Sequence, residues 1–215
     1  MIELRPEDIK RRDEVCKKIP EGEMYTTCLI RKRKTKSGKD RFYIYNSNDQ
    51  LEIAAECEIY KDCNFTVSLE SIEFSKESPY KIAELIHRRY DNFYFAQVFQ
   101  GGTFQKYMVI KFLSHYQKKS RKRKIQIEFE PISGINEILI QADDFNESYR
   151  SYFPDLCDKI ESSSKNFLIT SEKRNLCFSL AKMYKDEFHL AISSPLSILD
   201  GFLIALSTFH ILKNE

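Results

Sequence analysis

The sequence has no tryptophan, only six glycines and six prolines, and no CxxC pair among its six cysteines. Few glycines and prolines argue against a loop-rich scaffold, and sixteen Phe with twelve Tyr favour β-strands. The N-terminus is charged from residue 3 and lacks the apolar stretch of a signal peptide. We therefore expect reduced thiols in a protein of the cytosol or nucleus.

The motifs that carry enzyme chemistry are also missing. The sequence contains no GxGxxG, Walker loop, GxSxG elbow or HExxH, and its four histidines are far apart. We therefore expect a non-catalytic protein with no metal site and no cofactor. The alternative is a catalytic site assembled from residues that are distant in the sequence.

Charge is nearly balanced overall but strongly segregated. The sequence has thirty-four basic and thirty-two acidic residues, for a formal net charge of +2. The balance argues against binding of polyanions by the whole surface, whereas two basic runs indicate local anion sites. The first run contains Arg31, Lys32, Arg33, Lys34, Lys36, Lys39 and Arg41. The second contains Lys118, Lys119, Arg121, Lys122, Arg123 and Lys124.

Most of the chain consists of short runs with the period-two alternation of β-strands. Gly101-Gly102, between two of these runs, predicts a two-residue hairpin turn. From Met24 onward about ten or eleven strands are expected, which predicts a β-sandwich or barrel. The clearest runs are residues 42–46, 51–60, 65–69, 93–99, 103–112, 124–130, 137–141, 167–170, 175–181 and 187–192.

Three segments are predicted to be helical. Residues 6–18 form a short helix with a thin apolar stripe, in an N-terminal arm over residues 1–22. A second helix is expected from Ser78 and Pro79 onward, with apolar side chains at helical spacing at Ile82, Leu85, Ile86 and Tyr90. The third covers residues 195–212 and is apolar around its whole circumference. It is predicted to be buried inside a barrel, with a membrane tail anchor as the alternative.

Several motifs near the C-terminus occur together. They are Lys165-Asn166-Phe167, Phe178, Lys182, Asp186 with Phe188, Pro195-Leu196, and Ile204-Ala205-Leu206-Ser207 with Phe209. On these motifs residues 162–212 resemble the tubby-like family. A weaker resemblance covers residues 24–67, through Met24-Tyr25 with Thr27, Arg31-Lys32-Arg33-Lys34 with Lys36, and Phe65-Thr66-Val67. Residues 68–161 show no convincing similarity beyond the strand pair around Gly101-Gly102.

The resemblance implies a mainly β, α+β fold. Residues 23–215 are expected to form a closed antiparallel barrel of about twelve strands around the buried hydrophobic C-terminal helix. The family binds phosphatidylinositol 4,5-bisphosphate through basic side chains on the barrel wall. The resemblance therefore implies a non-catalytic membrane tether or trafficking adaptor, with the first basic run as its phosphoinositide-binding site.

The residues of the first run support the same role on physical grounds. Alternate side chains of a strand point to opposite faces, so Arg31 and Arg33 project together, and Lys32 with Lys34 on the other face. Arg matches phosphate oxygens with two donors, and Lys adds a point charge. In the family another strand adds a Lys and an Arg. Motif alignment places Ala55 and Cys57 at those positions, which indicates a reduced pocket or a different phosphoinositide.

The two basic runs and the N-terminal residues are also compatible with other functions. The first run is also compatible with a solvated hairpin. A protein-interaction module that has lost the lipid site would dock through residues 1–20. The second run fits a solvated loop, a membrane patch, a nuclear localisation signal or a nucleic-acid contact, although no aromatic side chains interleave for base stacking. Scramblase-like barrels share this architecture, so a lipid-related function of that related family is a further alternative.

These hypotheses predict the partners, the oligomeric state and the cellular location of the protein. We expect phosphoinositide head groups and anionic membrane surfaces as partners, a protein cargo as a further candidate, and no nucleic acid. The protein is expected to be a monomer in the cytoplasm, peripheral at the inner face of the plasma membrane, with the cilium and the nucleus as alternatives.

Overall fold

The computed structural model describes residues 4–23, 25–58, 64–88, 93–100, 102–113, 125–141, 153, 159–163, 165–171 and 175–209. Two α-helices occur in these residues, α1 (Pro6–Cys16) and α2 (Ile198–Phe209), with a 3-10 turn at Pro131–Ser133. The strands are β1 (Thr26–Lys34), β2 (Asp40–Tyr45), β3 (Leu51–Glu58), β4 (Asn64–Ser68), β5 (Lys81–Arg88), β6 (Phe93–Gln100), β7 (Thr103–Phe112), β8 (Ile125–Phe129), β9 (Leu139–Gln141), β10 (Phe167–Ser171), β11 (Leu176–Tyr184) and β12 (Glu187–Ile192).

The strands form one closed barrel in which every strand pairs with its neighbours in the sequence. All pairings are antiparallel, and β1 closes the barrel by pairing with β12 from Thr26↔Ile192 to Arg31↔Glu187. Closure removes the unpaired edges that an open sheet would expose. The prediction of a closed, mainly β barrel with a C-terminal helix is confirmed.

The helix α2 fills the interior of this barrel. Every residue from Leu199 to Phe209 is buried, so the apolar circumference of the helix meets the inward-facing side chains of the strands. Phe209 stacks on Phe42 of β2 with 5.0 Å between ring centroids, and lies 4.6 Å from the ring of Phe188 in β12. The predicted buried position of this helix is confirmed; residues 210–212 lie outside the described residues.

Gly201 permits the close approach of α2 to the barrel wall. A Cβ atom at this position would lie 2.6 Å from Cγ2 of Ile192, which projects inward from β12. That separation is well inside van der Waals contact, so a larger residue would push the helix away from the strand. The sequence therefore uses glycine inside a helix where packing, not helix propensity, decides the residue.

The Gly101-Gly102 turn forms as predicted. Gln100 at the end of β6 pairs directly with Thr103 at the start of β7, which leaves a two-residue connection. Gly102 has a φ of +86°, in the left-handed region that glycine adopts without steric cost. Gly101 itself lies outside the described residues.

The helix expected from Ser78 onward is wrong, because this segment forms β5. Ser78 and Pro79 do not start a helix but a tight turn, in which Lys81 N–H donates to Ser78 O at 3.3 Å and Tyr80 N–H donates to the Ser78 hydroxyl at 3.2 Å. Ile82 and Leu85 lie on opposite faces of this strand and both are buried, because its first residues, Lys81 to Ala83, are buried on both faces. This produces a spacing that also fits a helix.

The helix α1 closes the end of the barrel where α2 begins. Val15 is fully buried, and Ile19 N–H donates to Leu196 O at 2.9 Å. Lys18 extends inward to Asp200 Oδ2, with 2.5 Å between the charged atoms. The thin apolar stripe of α1 is thus reinforced by a buried ion pair. The division of the chain into an arm and a barrel domain stays a prediction.

Within the described residues, no helix combines the length and the apolar character that crossing a bilayer requires.

Candidate functional site

Strand register places part of the first basic run in a transverse row on the outer wall of the barrel. Arg33 of β1 lies opposite Arg41 of β2, Arg41 opposite Glu56 of β3, and Glu56 opposite Thr66 of β4. Phe42, which follows Arg41, and Ala55 and Cys57, which flank Glu56, belong to the core. The row therefore faces outward, and like charges meet directly where Arg33 faces Arg41.

Glu56 holds two cations, Arg41 of this row and Lys39 of the connection between β1 and β2. Lys39 Nζ donates to Glu56 Oε1 at 2.6 Å, and Arg41 Nε donates to Oε2 at 2.8 Å. Burial by itself would raise the pKa of Glu56, but the hydrogen bonds from Lys39 and Arg41 outweigh it and lower the pKa below its usual value. Glu56 is therefore ionised at neutral pH and neutralises the cations beside it.

Arg31 lies on the same wall but is also paired. It donates to Glu187 at 3.1 Å and to Asp49 at 3.0 Å, and its guanidinium lies 5.0 Å from the ring centroid of Tyr45. Burial opposes the charge of Arg31, while the hydrogen bond to Glu187 and the charge of Asp49 raise its pKa. These contacts fix the side chain along the sheet.

Lys32 projects into a different environment. It lies opposite Phe42, which faces the barrel interior, and its ammonium is 5.5 Å from the Phe42 ring centroid and 2.8 Å from Asp40 Oδ2. Lys165 approaches the same cluster of rings, with its ammonium 5.3 Å from the ring centroid of Phe209. Lys32 therefore belongs to the end of the barrel interior and not to the outer row.

The remaining three cations of the first run are exposed. Arg33 and Lys34 end β1, and Lys36 lies in the turn that connects β1 to β2. Within the described part of the chain, none of the three has an ion pair or a side-chain hydrogen bond. They form the free positive charge at this tip of the barrel.

A cavity of about 400 Å³ lies beside the row. Its floor is formed by Lys39, Arg41, Glu56 and Thr66, and the connection between β4 and β5 supplies Ile72, Glu73, Phe74, Ser75 and Lys76. The guanidinium of Arg41 lies 5.0 Å from the ring centroid of Phe74, which holds the connection against the wall. Ile72, in contrast, is 74% exposed.

Three residues of this cavity escape detection in the sequence. Ile72 and Lys76 lie far from the first basic run in the sequence, just before the residues that the sequence predicts to be helical. Glu56 is recognisable as a nearby acidic residue, but its pairing depends on the register of three strands. In the sequence, only the spacing of Glu52, Ala54 and Glu56 at every second position indicates that they share one face of β3.

A comparison with known protein families finds a match to this barrel. The Tub family model matches residues 109–211, from β7 through the buried helix. This segment, just under half of the chain, is therefore tubby-like. No curated protein matches the chain. Because the match starts at residue 109, the motif comparison is wrong in finding little similarity between 109 and 161. The first basic run lies outside the matched segment, and the second lies inside it.

The tubby-like barrel also corrects the alignment of β3. Ala55 and Cys57 belong to the hydrophobic core, so neither stands on the outer wall of the barrel. The outward positions are one residue out of step, at Ala54 and Glu56, because a shift of one residue along a strand exchanges its faces. The departure is thus sharper than a loss of charge, since an acidic residue stands on the basic wall.

Among the residues that the structure describes, the other candidates do not assemble into a reactive site; His115, His210, Cys63 and Cys157 lie outside them. His87 packs against Tyr94 with 4.6 Å between centroids, and burial lowers the pKa of His189. Burial raises the pKa of Cys28 and of Cys177 to about 12, so both thiols stay protonated. In the part of the chain that the structure describes, no three His, Cys, Asp or Glu side chains cluster as metal ligands. The second basic run, residues 118–124, lies outside the described residues.

Proposed function

We propose that this tubby-like domain binds phosphorylated inositol head groups on anionic membranes and acts as a non-catalytic tether or trafficking adaptor. The observation that carries the proposal is the unpaired charge of Arg33, Lys34 and Lys36 at the tip of the barrel, next to a cavity that Lys39, Arg41 and Lys76 line. Phosphate oxygens are the acceptors that such a group of donors suits best.

The charges favour reversible attachment. Each basic residue near an anionic leaflet contributes about 1 kcal/mol, so three free cations support binding of the kind that salt and competing anions reverse. Lys39 and Arg41 add to this only if they exchange Glu56 for a phosphate. Arg31 and Lys32 keep their carboxylate partners and serve mainly the sheet.

The exposed Ile72 indicates which side of the barrel faces the membrane. Ile72 lines the same cavity as Lys76, so an apolar side chain projects beside the basic group. A membrane surface accommodates both, because cations meet the phosphates while an aliphatic side chain enters the interface below them. The wall that carries β2, β3 and the β4–β5 connection would then lie on the leaflet.

The test measures co-sedimentation with vesicles. Neutral phosphatidylcholine vesicles are compared with the same vesicles containing phosphatidylinositol 4,5-bisphosphate, for the wild type and for Arg33→Ala/Lys34→Ala/Lys36→Ala. We expect selective binding by the wild type and a loss of roughly a hundredfold in the variant, from about 1 kcal/mol per charge. Equal recovery from neutral vesicles would refute the proposal.

A matched control removes three positive charges at the other end of the barrel. Lys10, Arg12 and Lys17 all lie on or next to α1, which packs where α2 begins, whereas the basic tip lies at the Phe209 end of α2. The variant with these three residues changed to Ala has the same net charge as the tip variant. It should keep vesicle binding if the position of the charge matters and not only its amount.

One observation favours a second function. Four of the seven residues of the first run already have carboxylate partners, as expected for a barrel that serves protein interaction after losing its lipid site. A partner surface formed by residues 1–20 is less attractive, because Val15, Lys18 and Ile19 are engaged with the barrel. For this function, wild-type protein and the tip variant would capture the same protein partner, and neither would bind vesicles.

A further inference from the structure

Glu56 occupies the position of a bound anion. Its carboxylate lies between Lys39 Nζ and Arg41 Nε, at 2.6 and 2.8 Å, and Glu56 is only 7% exposed. A second nitrogen of Arg41, Nη2, is also 2.8 Å from Oε2. A phosphate group in this cavity would need the same N–H donors, since phosphate and carboxylate oxygens both accept from guanidinium and ammonium groups.

The two cations cannot serve both acceptors fully. Lys39 lies in the turn after β1 and Arg41 in β2, and cross-strand pairing holds Arg41 directly opposite Glu56. The carboxylate is therefore present at high effective concentration, as an acceptor within the same molecule always is. Displacing it requires that the side chain of Glu56 rotate toward the cavity, which it lines together with Thr66.

We propose that Glu56 is an internal competitor that sets the affinity of this wall for phosphorylated head groups. The inference rests on the proposed function and deepens it, because it assigns the regulation of the same site to one residue. With Glu56 in place, an incoming head group is held by the free cations Arg33, Lys34 and Lys36. Only a ligand that displaces the carboxylate also gains Lys39 and Arg41.

Acidification is a poor way to open this site. The hydrogen bonds from Lys39 and Arg41 keep Glu56 ionised well below neutral pH, and phosphate monoesters lose their own second charge near pH 6. The charged groups that face Glu56 are Lys39 and Arg41 from the β1–β2 hairpin, with Glu73 and Lys76 of the β4–β5 connection in the same cavity. The competitor therefore limits affinity at all physiological pH values, and does not act as a pH switch.

The experiment is calorimetric titration of the full chain with inositol 1,4,5-trisphosphate, the soluble head group of phosphatidylinositol 4,5-bisphosphate. Glu56→Gln keeps the shape of the side chain and removes its charge. We expect it to bind roughly tenfold more tightly than the wild type, because two charge-assisted donors become available. Adding Arg41→Ala to Glu56→Gln should abolish most of this gain.

A matched control separates competition from general electrostatics. Glu73 lines the same cavity and contacts Ser75 rather than a cation, with 2.6 Å between Oε1 and the hydroxyl. Glu73→Gln removes the same charge. An equal gain in both variants would overturn the inference, since the effect would then come from net charge. Should Glu56→Gln fail to fold, Glu56→Asp retracts the carboxylate by one methylene and should give an intermediate gain.

The outcomes distinguish the inference from the proposed function. Binding by the wild type without a gain in Glu56→Gln would overturn the inference and leave the proposed function standing. Binding by Glu56→Gln alone would support the inference and overturn the proposed function for the wild-type chain. If neither protein binds the head group, both are overturned.

Discussion

Two buried carboxylates in this barrel make closely similar contacts in opposite settings. Asp200 lies inside the barrel at the start of α2, 2.5 Å from Lys18 Nζ, and Glu56 lies on the outer wall, 2.6 Å from Lys39 Nζ. Asp200 is completely buried and also accepts hydrogen bonds from the backbone N–H and the hydroxyl of Ser197. Glu56 faces a cavity that opens to solvent.

The difference determines what each pair contributes. Lys18 crosses from the segment after α1 to the central helix, donates to Tyr107 Oη and lies 5.1 Å from that ring's centroid. Burial and the charge of Asp200 raise the pKa of Tyr107, so its hydroxyl stays neutral. The Asp200 pair therefore serves the fold, because the carboxylate is completely buried, although Lys18 is 31% exposed. Glu56 borders a cavity, so water can replace a lost partner there.

The largest effect is expected from Lys18→Met. Methionine preserves the apolar stem that packs on Tyr107 but leaves Asp200 as a buried charge without its cation. The free energy of unfolding should fall by about 3 kcal/mol, the scale on which breaking a buried pair destabilises proteins. Urea unfolding followed by far-UV circular dichroism measures this loss.

Lys17→Met is the matched control for that variant. Lys17 is the neighbouring residue and is exposed, so the same substitution should change the unfolding free energy by less than about 0.5 kcal/mol. If the two variants lose equal stability, the Lys18–Asp200 pair does not hold α1 and α2 together, and the contrast with Glu56 disappears.

A second effect in the interior concerns the packing of α2 on β12. Gly201→Ala places a methyl group 2.6 Å from Ile192 Cγ2 and should destabilise the barrel by about 2 kcal/mol, although alanine is the better helix former. The loss in thermal unfolding should shrink when Ile192→Ala is added. Two independent losses that simply sum would show that the clash is not the cause.

The interior was largely predictable from the sequence, and the wall was not. Period-two runs and a helix apolar on all sides determine which residues lie inside, and β2 and α2 follow that pattern closely. The pattern fails for β5, because the start of this strand is buried on both faces and loses its alternation there. The Gly201 contact is also hidden, since it depends on how near α2 approaches β12.

The pairing of the wall charges requires information that the sequence does not contain locally. Arg41 and Glu56 are fifteen positions apart, and they meet only because β2 and β3 pair in one particular register. In the neighbouring register the core residues Ala55 and Cys57 would face outward instead. A basic run therefore predicts positive charge in a segment, but the strand register decides how much of that charge is free.

At the exposed Ile72, variants should change membrane binding and leave stability unaffected. Ile72→Asp is expected to weaken vesicle binding by roughly tenfold, from the loss of about 1–2 kcal/mol of aliphatic burial. Because the chain has no tryptophan, Ile72→Trp adds a single fluorophore whose emission should shift to the blue on anionic vesicles.

Ile140 provides the control for both Ile72 variants. It is an exposed isoleucine on β9, which lies six strands from β3 in either direction around the barrel. Ile140→Asp should leave vesicle binding unchanged, and Ile140→Trp should keep its emission wavelength. An emission shift at residue 140 and not at residue 72 would place the opposite wall on the membrane.

The smallest effect concerns the pH dependence of the stability that Glu56 contributes. The pKa of Glu56 is lower in the folded protein than its ordinary value, so its contribution to stability is complete above the ordinary carboxyl pKa of about 4.3 and is lost as the pH falls through the folded-state pKa. Glu56→Gln should therefore cost about 1 kcal/mol at neutral pH and nothing in strong acid. Urea unfolding of both proteins at a series of pH values measures the difference. A constant difference at every pH would mean that Glu56 stabilises the wall by packing. Its charge could then oppose an incoming phosphate without contributing to the stability of the fold.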